Sequence, residues 1–416
     1  MSMWEEAYLG DHIDLITGFP FKSSHYSQSG SGTKLLRGDN IQQGYFKWDK
    51  VKFWENIETL HENYFLKEND IILAMDRPWI EAGLKYAMIT KYDLPCLLVQ
   101  RVACLRAKGT LNQSFLKYII ASKSFTEYVR SIETGTAVPH ISGKQIKAYP
   151  FIIPPLTIQK SIASLLSILD EKIDFLHRQN KTMESMAETL FRQWFIEEAQ
   201  ADWELTTLDC HITVAKGLSY KGTGLTTSDN GIPLFNLNSV LEGGGYKSAG
   251  LKYYNGDFKE RYIIKPGDII VANTEQGHEF RLIGYPAIIP TTESKLSIYT
   301  HHLFKICIND DSYLTNSFMY YLLCSKDIHE QVVAATNGST VNQLSADGLQ
   351  RPEFKQPPEC IVKKFTTQVA SFWRRINLNN SQIKNLESLR DTLLPKLLSG
   401  EVRVKYAEEE IAVMQE

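Results

Sequence analysis

The feature that most constrains this chain is that it repeats itself. At an offset of 203 residues, Gly135-Thr136-Ala137-Val138 aligns with Gly338-Ser339-Thr340-Val341, Phe151 with Phe354, and Pro154-Pro155 with Pro357-Pro358. The same offset pairs Glu184-Ser185 with Glu387-Ser388 and Thr189-Leu190 with Thr392-Leu393. Nearer the start it slips to 198, where Tyr64-x-x-Lys67-x-x-Asp70-Ile71-Ile72 meets Tyr262-x-x-Lys265-x-x-Asp268-Ile269-Ile270. At 199, Gly18 and Lys22 meet Gly217 and Lys221. Chance explains any one match but not a collinear series drifting by only five residues. The chain is one architecture built twice.

Each unit has two unlike parts. The first ~150 residues show short β-rich runs broken by Gly, Pro, Asn and Asp, such as Asp70 to Ala74 and Leu97 to Val99, matched by Asp268 to Ala272 and Leu303 to Ile306. Apolar helical stretches, Phe115 to Val129 and Tyr313 to Leu323, are mixed in. The implied class is α+β, two mixed α/β domains.

The second part of each unit begins at a double proline, which suits a helix entry. Apolar residues then recur at spacings of four and three: Ile162, Leu166, Leu169, Ile173 and Leu176, and after the second pair Phe365, Val369, Phe372, Ile376, Ile383 and Leu386. A 3.5-residue period held over more than four heptads is a coiled-coil seam, and Asn180 and Asn379 stand in it as register pins. The competing expectation is a long amphipathic helix packed on its own domain. Roughly 40 residues give a helix about 60 Å long. If the two seams meet in one molecule, the chain order predicts an antiparallel pair with one domain near each end, a caliper with pseudo-twofold symmetry. Gly400 marks the second helix's stop.

Composition narrows the class. Apolar residues make up 43% and aromatics 11%, enough for a substantial core and against disorder of the whole. The longest apolar runs, such as that around Phe151-Ile152-Ile153, fall far short of the ~18 residues a membrane span needs. The start, Met-Ser-Met-Trp-Glu-Glu, lacks the signal-peptide pattern. Six cysteines without a Cys-x-x-Cys pair fit reduced thiols, so a soluble cytoplasmic protein is expected. The net charge is −3, and the last 16 residues account for all of it. A neutral body cannot rely on bulk attraction to hold nucleic acid, so a more basic partner or bound-state shape must help.

Catalytic signatures are missing. Gly30-Ser31-Gly32-Thr33-Lys34 has the wrong order for a phosphate loop, and no Gly-x-Gly-x-x-Gly or His-Glu-x-x-His occurs. Ile153 and Gln356 precede the Pro-Pro pairs, where an amino-methyltransferase needs Asn or Asp. The adjacent His301-His302 point to opposite faces if they lie on a strand, which argues for a surface or core role over metal binding. Two degenerate copies without a shared nucleophile or ligand set imply binding.

Duplicated domains, each followed by a long helix entered through Pro-Pro, resemble the DNA specificity subunit of type I restriction-modification enzymes. Local phrases carry the resemblance over nearly the whole chain: Gly18-Phe19-Pro20-Phe21-Lys22-Ser23, Leu36-Arg37-Gly38-Asp39-Asn40-Ile41, Lys265-Pro266-Gly267-Asp268-Ile269-Ile270 and the helix end Leu393-Leu394-Pro395-Lys396-Leu397-Leu398-Ser399-Gly400. One departure is Asn69 where the second unit has Gly267, which is expected to strain or reshape a turn. The resemblance implies target recognition domains at 1–154 and 200–357, long helices at 155–199 and 358–400, and an acidic tail at 401–416. It implies a non-catalytic subunit whose domains each read half of a bipartite, asymmetric double-stranded DNA site, with helices that set the gap. Two modification subunits would dock on it and methylate adenine N6 with S-adenosylmethionine. Restriction subunits would add ATP- and Mg-dependent translocation and cleavage; this subunit itself would hold no cofactor and no metal.

Base readout needs Arg or Lys for guanine and Asn or Gln for adenine, on loops at strand ends. The loops after the two Asp-Ile-Ile strands carry Arg77, Trp79 and Lys85 in one unit and Gln276, His278 and Arg281 in the other. They differ wholly while their flanks match, as two different half-sites require. Those after Gly135 and Gly338 form a second pair: Thr136, His140 and Lys144 against Thr340, Asn342 and Gln343. Arg37, Asn40, Asn236 and Asn238 form a third, and Lys22 and Lys221 complete the set. The bland alternative for each is a solvated or locally bonded loop residue, and Trp79 equally suits a buried anchor. Other readings of the chain are a coiled-coil scaffold with two protein- or peptide-binding domains, and an enzyme with an unfamiliar site. Salt-dependent DNA binding in the presence of a methyltransferase discriminates them.

Overall fold

The computed structural model describes residues 4–80, 83–132, 139–277, 279–292, 294–338 and 341–404. The candidates Thr136, His278 and Thr340, and most of the acidic tail, lie outside the described residues. The chain is mixed α/β, with one long helix, Leu156–Arg192, continued by a π-helical turn to Glu197, and a C-terminal helix, Glu359–Ser399. It divides into two compact units, residues 1–174 with 383–416, and residues 175–382.

The first unit holds a four-stranded antiparallel sheet in the order Ile13–Thr17, Val102–Ala107, Ile71–Ala74, Tyr86–Met88. A three-stranded sheet joins Lys52–Trp54, Thr33–Leu36 and Cys96–Leu98, the last two parallel. The second unit repeats the four-stranded order with Ile212–Lys216, Leu303–Ile308, Ile269–Ala272 and Pro286–Ile288. Its companion sheet has grown to five strands. The strands Ile71–Ala74 and Ile269–Ala272 are buried at every residue, which explains their uninterrupted apolar runs.

The repeated Lys-x-x-Asp phrase is a turn. Asp70 and Asp268 each accept the N–H three residues back, at 2.8 Å in both units. A cation from the central strand completes each: Arg106 donates to both oxygens of Asp70 at 2.7 Å, and Lys305 meets Asp268 at 2.6 Å. Asn69 sits at φ +70° and Gly267 at φ +89°, so the expected reshaping does not occur. Asparagine tolerates the left-handed region well enough to build the same turn. Gly18 and Gly217 are required for another reason. A Cβ there would come within 2.1 Å of the Val99 carbonyl oxygen and 2.3 Å of that of Thr300.

The helical stretch Phe115 to Val129 spans two helices, and Tyr313 to Leu323 falls on the first of a matching pair. Helices Gln113–Ala121 and Lys123–Ile132 break at Ser122, whose hydroxyl bonds the Ile119 carbonyl and caps the Phe125 N–H. In the second unit Asn316–Cys324 and Lys326–Ala334 break at Ser325.

Long-helix residues Ile162, Leu166, Leu169, Ile173, Leu176, Phe365, Val369, Ile376, Ile383 and Leu386 are buried, while Phe372 is only half-buried. In the second unit the stripe serves two partners. Ala187, Phe191 and Phe195 share one core with Val362, Phe365 and Val369, and that core also takes in Ile269, Phe304 and Phe318 from the domain. The two helices pack on their domain there as well as on each other. Further along the same unit, Asn180 and Asn379 are buried and bonded side chain to side chain at 2.8 Å, and Asn180 donates to Asn380 at 2.8 Å. Residue 180 meets 379–380 and 191 meets 365, so these two segments run antiparallel.

In the first unit Asp170 ties the helices to the domain. It accepts from Lys117 at 2.5 Å, Tyr118 at 2.9 Å and Arg390 at 3.2 Å. Burial pushes its carboxyl up, but these donors outweigh burial and hold it below its ordinary value. At the matching position of the second unit stands Trp373, packed against Tyr320 and Tyr321 with ring centroids 5.7 and 6.5 Å apart.

Two outcomes follow. Asp170→Asn should cost about 2 kcal/mol at neutral pH, between the values for surface and buried ion pairs. Because the folded carboxyl titrates below its unfolded value of 3.8, the contribution is full above that pH and fades as pH falls through the folded value. Denaturant melts of both proteins at pH 7 and near pH 3 should therefore show a gap that narrows; a gap independent of pH disproves the ionic account. Asn379→Leu should cost about 1–3 kcal/mol by leaving the Asn180 amide oxygen without its donor, and Asn180→Leu added to it should recover most of that loss.

Candidate nucleic-acid interface

In the first unit the strand Ile71–Ala74 feeds directly into Met75-Asp76-Arg77, and two distant segments close around that exit. The Met75 N–H bonds the Arg101 carbonyl at 2.9 Å, and the Ile141 N–H bonds the Met75 carbonyl at 2.9 Å. The Arg77 N–H bonds Pro139 at 2.8 Å. Side chains follow the backbone: His140 Nδ1 lies 2.5 Å from one oxygen of Asp76, and Arg101 Nε lies 3.6 Å from the other.

The second unit builds the same junction from other residues. The Asn273 N–H bonds the His302 carbonyl at 3.1 Å, and the Leu344 N–H bonds the Asn273 carbonyl at 2.9 Å. Strand Thr274–Gln276 pairs antiparallel with Val341–Gln343. His302 Nδ1 lies 3.0 Å from the Thr274 hydroxyl. Burial, then the neighbouring His301 and Lys216, lowers the pKa of His302. Position for position, Asp76–Arg101 has become Thr274–His302.

Two of the three candidate loop groups are thus brought together in each unit. Arg77 and His140 share one junction, Gln276 and Gln343 the other, and Arg77, Gln276 and Gln343 are exposed. Lys144 is exposed on the short helix Gly143–Lys147 that follows. Trp79 is half-buried with the Arg130 guanidinium 4.8 Å above its ring, which fits the anchor reading. Lys22, Lys221 and Asn238 are exposed outside the junctions.

Three candidates are buried and bonded to their own backbone. The Asn40 side chain is buried, accepting from the Arg37 N–H at 3.1 Å and donating to the Lys47 carbonyl at 3.0 Å. Asn236 is buried, accepting from the Asn238 N–H at 3.0 Å and donating to the Gly250 carbonyl at 2.5 Å. Asn342 is buried with its amide on the Gly277 carbonyl. These amides are committed to their own backbone and hold loops in shape. Arg281 is exposed but turned into ion pairs with Glu279 at 3.2 Å and Glu242 at 3.8 Å.

The condition attached to the histidine pair, that it lies on a strand, is not met. His301 and His302 lie in the turn between strands Ser297–Tyr299 and Leu303–Ile308, not within a strand, and their ring centroids are 4.0 Å apart. Sequence reasoning missed Arg101 as well. Both residues sit between matching strands, so the alignment carried the signal; what it lacked was the crossing that sets this turn beside the strand exit. Glu275 was missed too. Its carboxylate accepts the N–H groups of Arg281, Leu282 and Ile283 at 2.9–3.0 Å, closing the loop after the second junction.

Comparison with known proteins fits this architecture. Residues 1–185 match the sequence model of the type I restriction modification DNA specificity domain. The specificity subunit of the Escherichia coli type I restriction enzyme EcoAI is 38% identical over 190 residues, covering 45% of this chain but only 31% of that protein. That of the Methanocaldococcus jannaschii enzyme MjaIX is 25% identical, covering 72% of this chain and 71% of its own length. The Salmonella potsdam StySPI subunit is 20% identical, covering 98% of this chain and 90% of its own. Among solved structures, the S subunit of a type I restriction-modification system from M. genitalium has a TM-score of 0.52 at 16% identity and covers 95% of this chain and 96% of that one, a likeness of fold.

Glu275→Ala should loosen the second loop without unfolding its unit. Losing charge-assisted bonds worth about 1.5–3 kcal/mol should speed hydrogen exchange at the amides of residues 281–283 roughly ten- to a hundred-fold. Unchanged exchange there would remove Glu275 as the clasp.

Proposed function

We propose, from the likeness of residues 1–185 to the type I restriction modification DNA specificity domain, that this chain selects the DNA sequence on which a modification and restriction complex acts. Each unit reads one half of a bipartite duplex site, and the long helices set the unread gap. Two modification subunits and the restriction subunits supply S-adenosylmethionine, ATP and Mg chemistry; this chain supplies recognition and no catalytic group. No described helix is long and apolar enough to cross a membrane, and a cytoplasmic site of action is part of the same reading.

The observation that carries the reading is the pair of junctions. The same three backbone segments meet in both units, yet Asp76, Arg77, Arg101 and His140 in one are replaced by Thr274, Glu275, His302 and Gln343 in the other. A fold requirement would keep the side chains alike. Two different half-sites demand that they differ, because each base pair offers its own pattern of donors and acceptors in the major groove. Arg101 suits guanine, Gln276 and Gln343 suit adenine, and His302 adds a donor or acceptor according to tautomer.

Arg101→Ala should then relax one half-site, and Gln276→Ala the other, each by roughly 1–3 kcal/mol if a bidentate base contact is lost. Sequencing methylated adenines in cells carrying each variant with its modification subunit reads this directly. Equal degradation of both halves by either change would make these side chains structural and sink the half-site assignment.

A further inference from the structure

We propose that Arg37, Arg77 and Lys85 form an anion corner in the first unit that grips one backbone phosphate of the DNA. The inference rests on the DNA-recognition reading above and deepens it, separating phosphate grip from base readout.

Backbone contacts gather the three residues. The Lys85 N–H bonds the Pro78 carbonyl at 2.7 Å, next to Arg77 in the chain. The Gly44 N–H bonds the Tyr86 carbonyl at 2.7 Å, bringing the loop that follows Arg37 against the residue after Lys85. Asp39 links two of them: it lies 3.8 Å from Arg37, and both it and Arg77 act electrostatically on Lys85. The Asp39 carboxylate is 83% exposed.

Two of the cations have hydrogen-bond donors left over. Lys85 is only 7% exposed, and its ammonium makes no hydrogen bond or ion pair among the described residues. Arg37 Nε is buried and has no hydrogen-bond partner. A largely buried lysine and a buried guanidinium N–H without an acceptor are costly unless an anion completes the set. Burial lowers the Lys85 pKa, with Arg77 adding to the effect and Asp39 opposing it, as expected for a charge without a full partner. Arg77 is held at φ +44°, a left-handed backbone that a non-glycine residue adopts only when its surroundings impose it.

The fold does not need this corner. In the second unit Asn236 replaces Arg37, Asn238 replaces Asp39 and Glu275 replaces Arg77. Tyr285 replaces Lys85: its carbonyl accepts from Ala272 N–H as that of Lys85 accepts from Ala74 N–H. None of the replacements is a cation. The ligand chemistry is a phosphoryl group, recognised by guanidinium and ammonium donors together. Arg77 adjoins Asp76 at the reading edge, which favours a phosphate of the bound duplex over a free ion.

The test uses the full chain, a random-sequence duplex and inorganic phosphate. Lys85→Met removes the charge while keeping the apolar stem. Expected is a salt dependence of duplex binding whose log–log slope is smaller by about one, with unchanged sequence preference. Arg37→Met should act the same way, guarding against misfolding of one variant, and Lys85→Arg should restore the slope. Phosphate should raise the melting temperature of the wild type above that in chloride at equal ionic strength, but not that of Lys85→Met. An unchanged slope in both Met variants overturns the DNA assignment; if phosphate protection is nevertheless lost, the corner holds a free phosphate instead. Loss of neither overturns the corner altogether. Failure of the wild type to bind duplex at all counts against the recognition reading, and the melting arm then decides the corner independently.

Discussion

The carboxylate at the head of the fully buried strand is the interaction on which the rest of each unit depends. Ile71–Ala74 and Ile269–Ala272 are apolar on both faces, so alternation of side chains offers no preference between registers. A slip of one residue would cost little in burial and would misplace everything beyond the strand. Asp70, bonded to the Lys67 N–H and gripped by Arg106, and Asp268, bonded to the Lys265 N–H and gripped by Lys305, remove that freedom. With register fixed at one end, the other end delivers Asp76 or Thr274 to the junction. The paired charges are partly shielded from water, which strengthens them but leaves each partner costly to remove.

Around this shared frame the two units have diverged where the frame permits. At the foot of the helices one unit uses Asp170 with Lys117, Tyr118 and Arg390, and the other uses Trp373 with Tyr320 and Tyr321. Either a satisfied polar cluster or an aromatic one fills the space; a half-satisfied mixture would not. The same logic explains the Asn180–Asn379 pair. Two buried amides bonded to each other cost less than one amide facing leucine, and they tolerate only one alignment of the helical segments that carry them. The junctions obey a different rule. Their backbone contacts are kept and their side chains exchanged, so positions that satisfy the fold are separated from positions free to recognise something.

That separation also explains why buried asparagines were poor candidates. Asn40, Asn236 and Asn342 have the right chemistry for adenine, but each already spends its amide on a neighbouring carbonyl. The exposed Arg77, Gln276 and Gln343 have not. Composition cannot tell these cases apart, because both look like polar residues in a loop.

The sequence by itself determined the duplication, the mixed α/β class, the places where both long helices begin, and Asp70 and Asp268 as matching turn residues. All of these rest on local chemistry: Pro-Pro precludes continuing the strand and permits the helix, a heptad stripe demands a partner, and an Asp three residues beyond a lysine closes a turn. Only the tertiary structure decided that Arg101 and His302 belong to the junctions, that helical stripes such as Phe365–Val369 pack on the domain as well as on one another, and that Lys85 is buried. Each depends on which distant segments cross. Close approaches such as Gly18 against Val99 and Gly217 against Thr300 record those crossings in the sequence only as a glycine, a mark too common to be read alone.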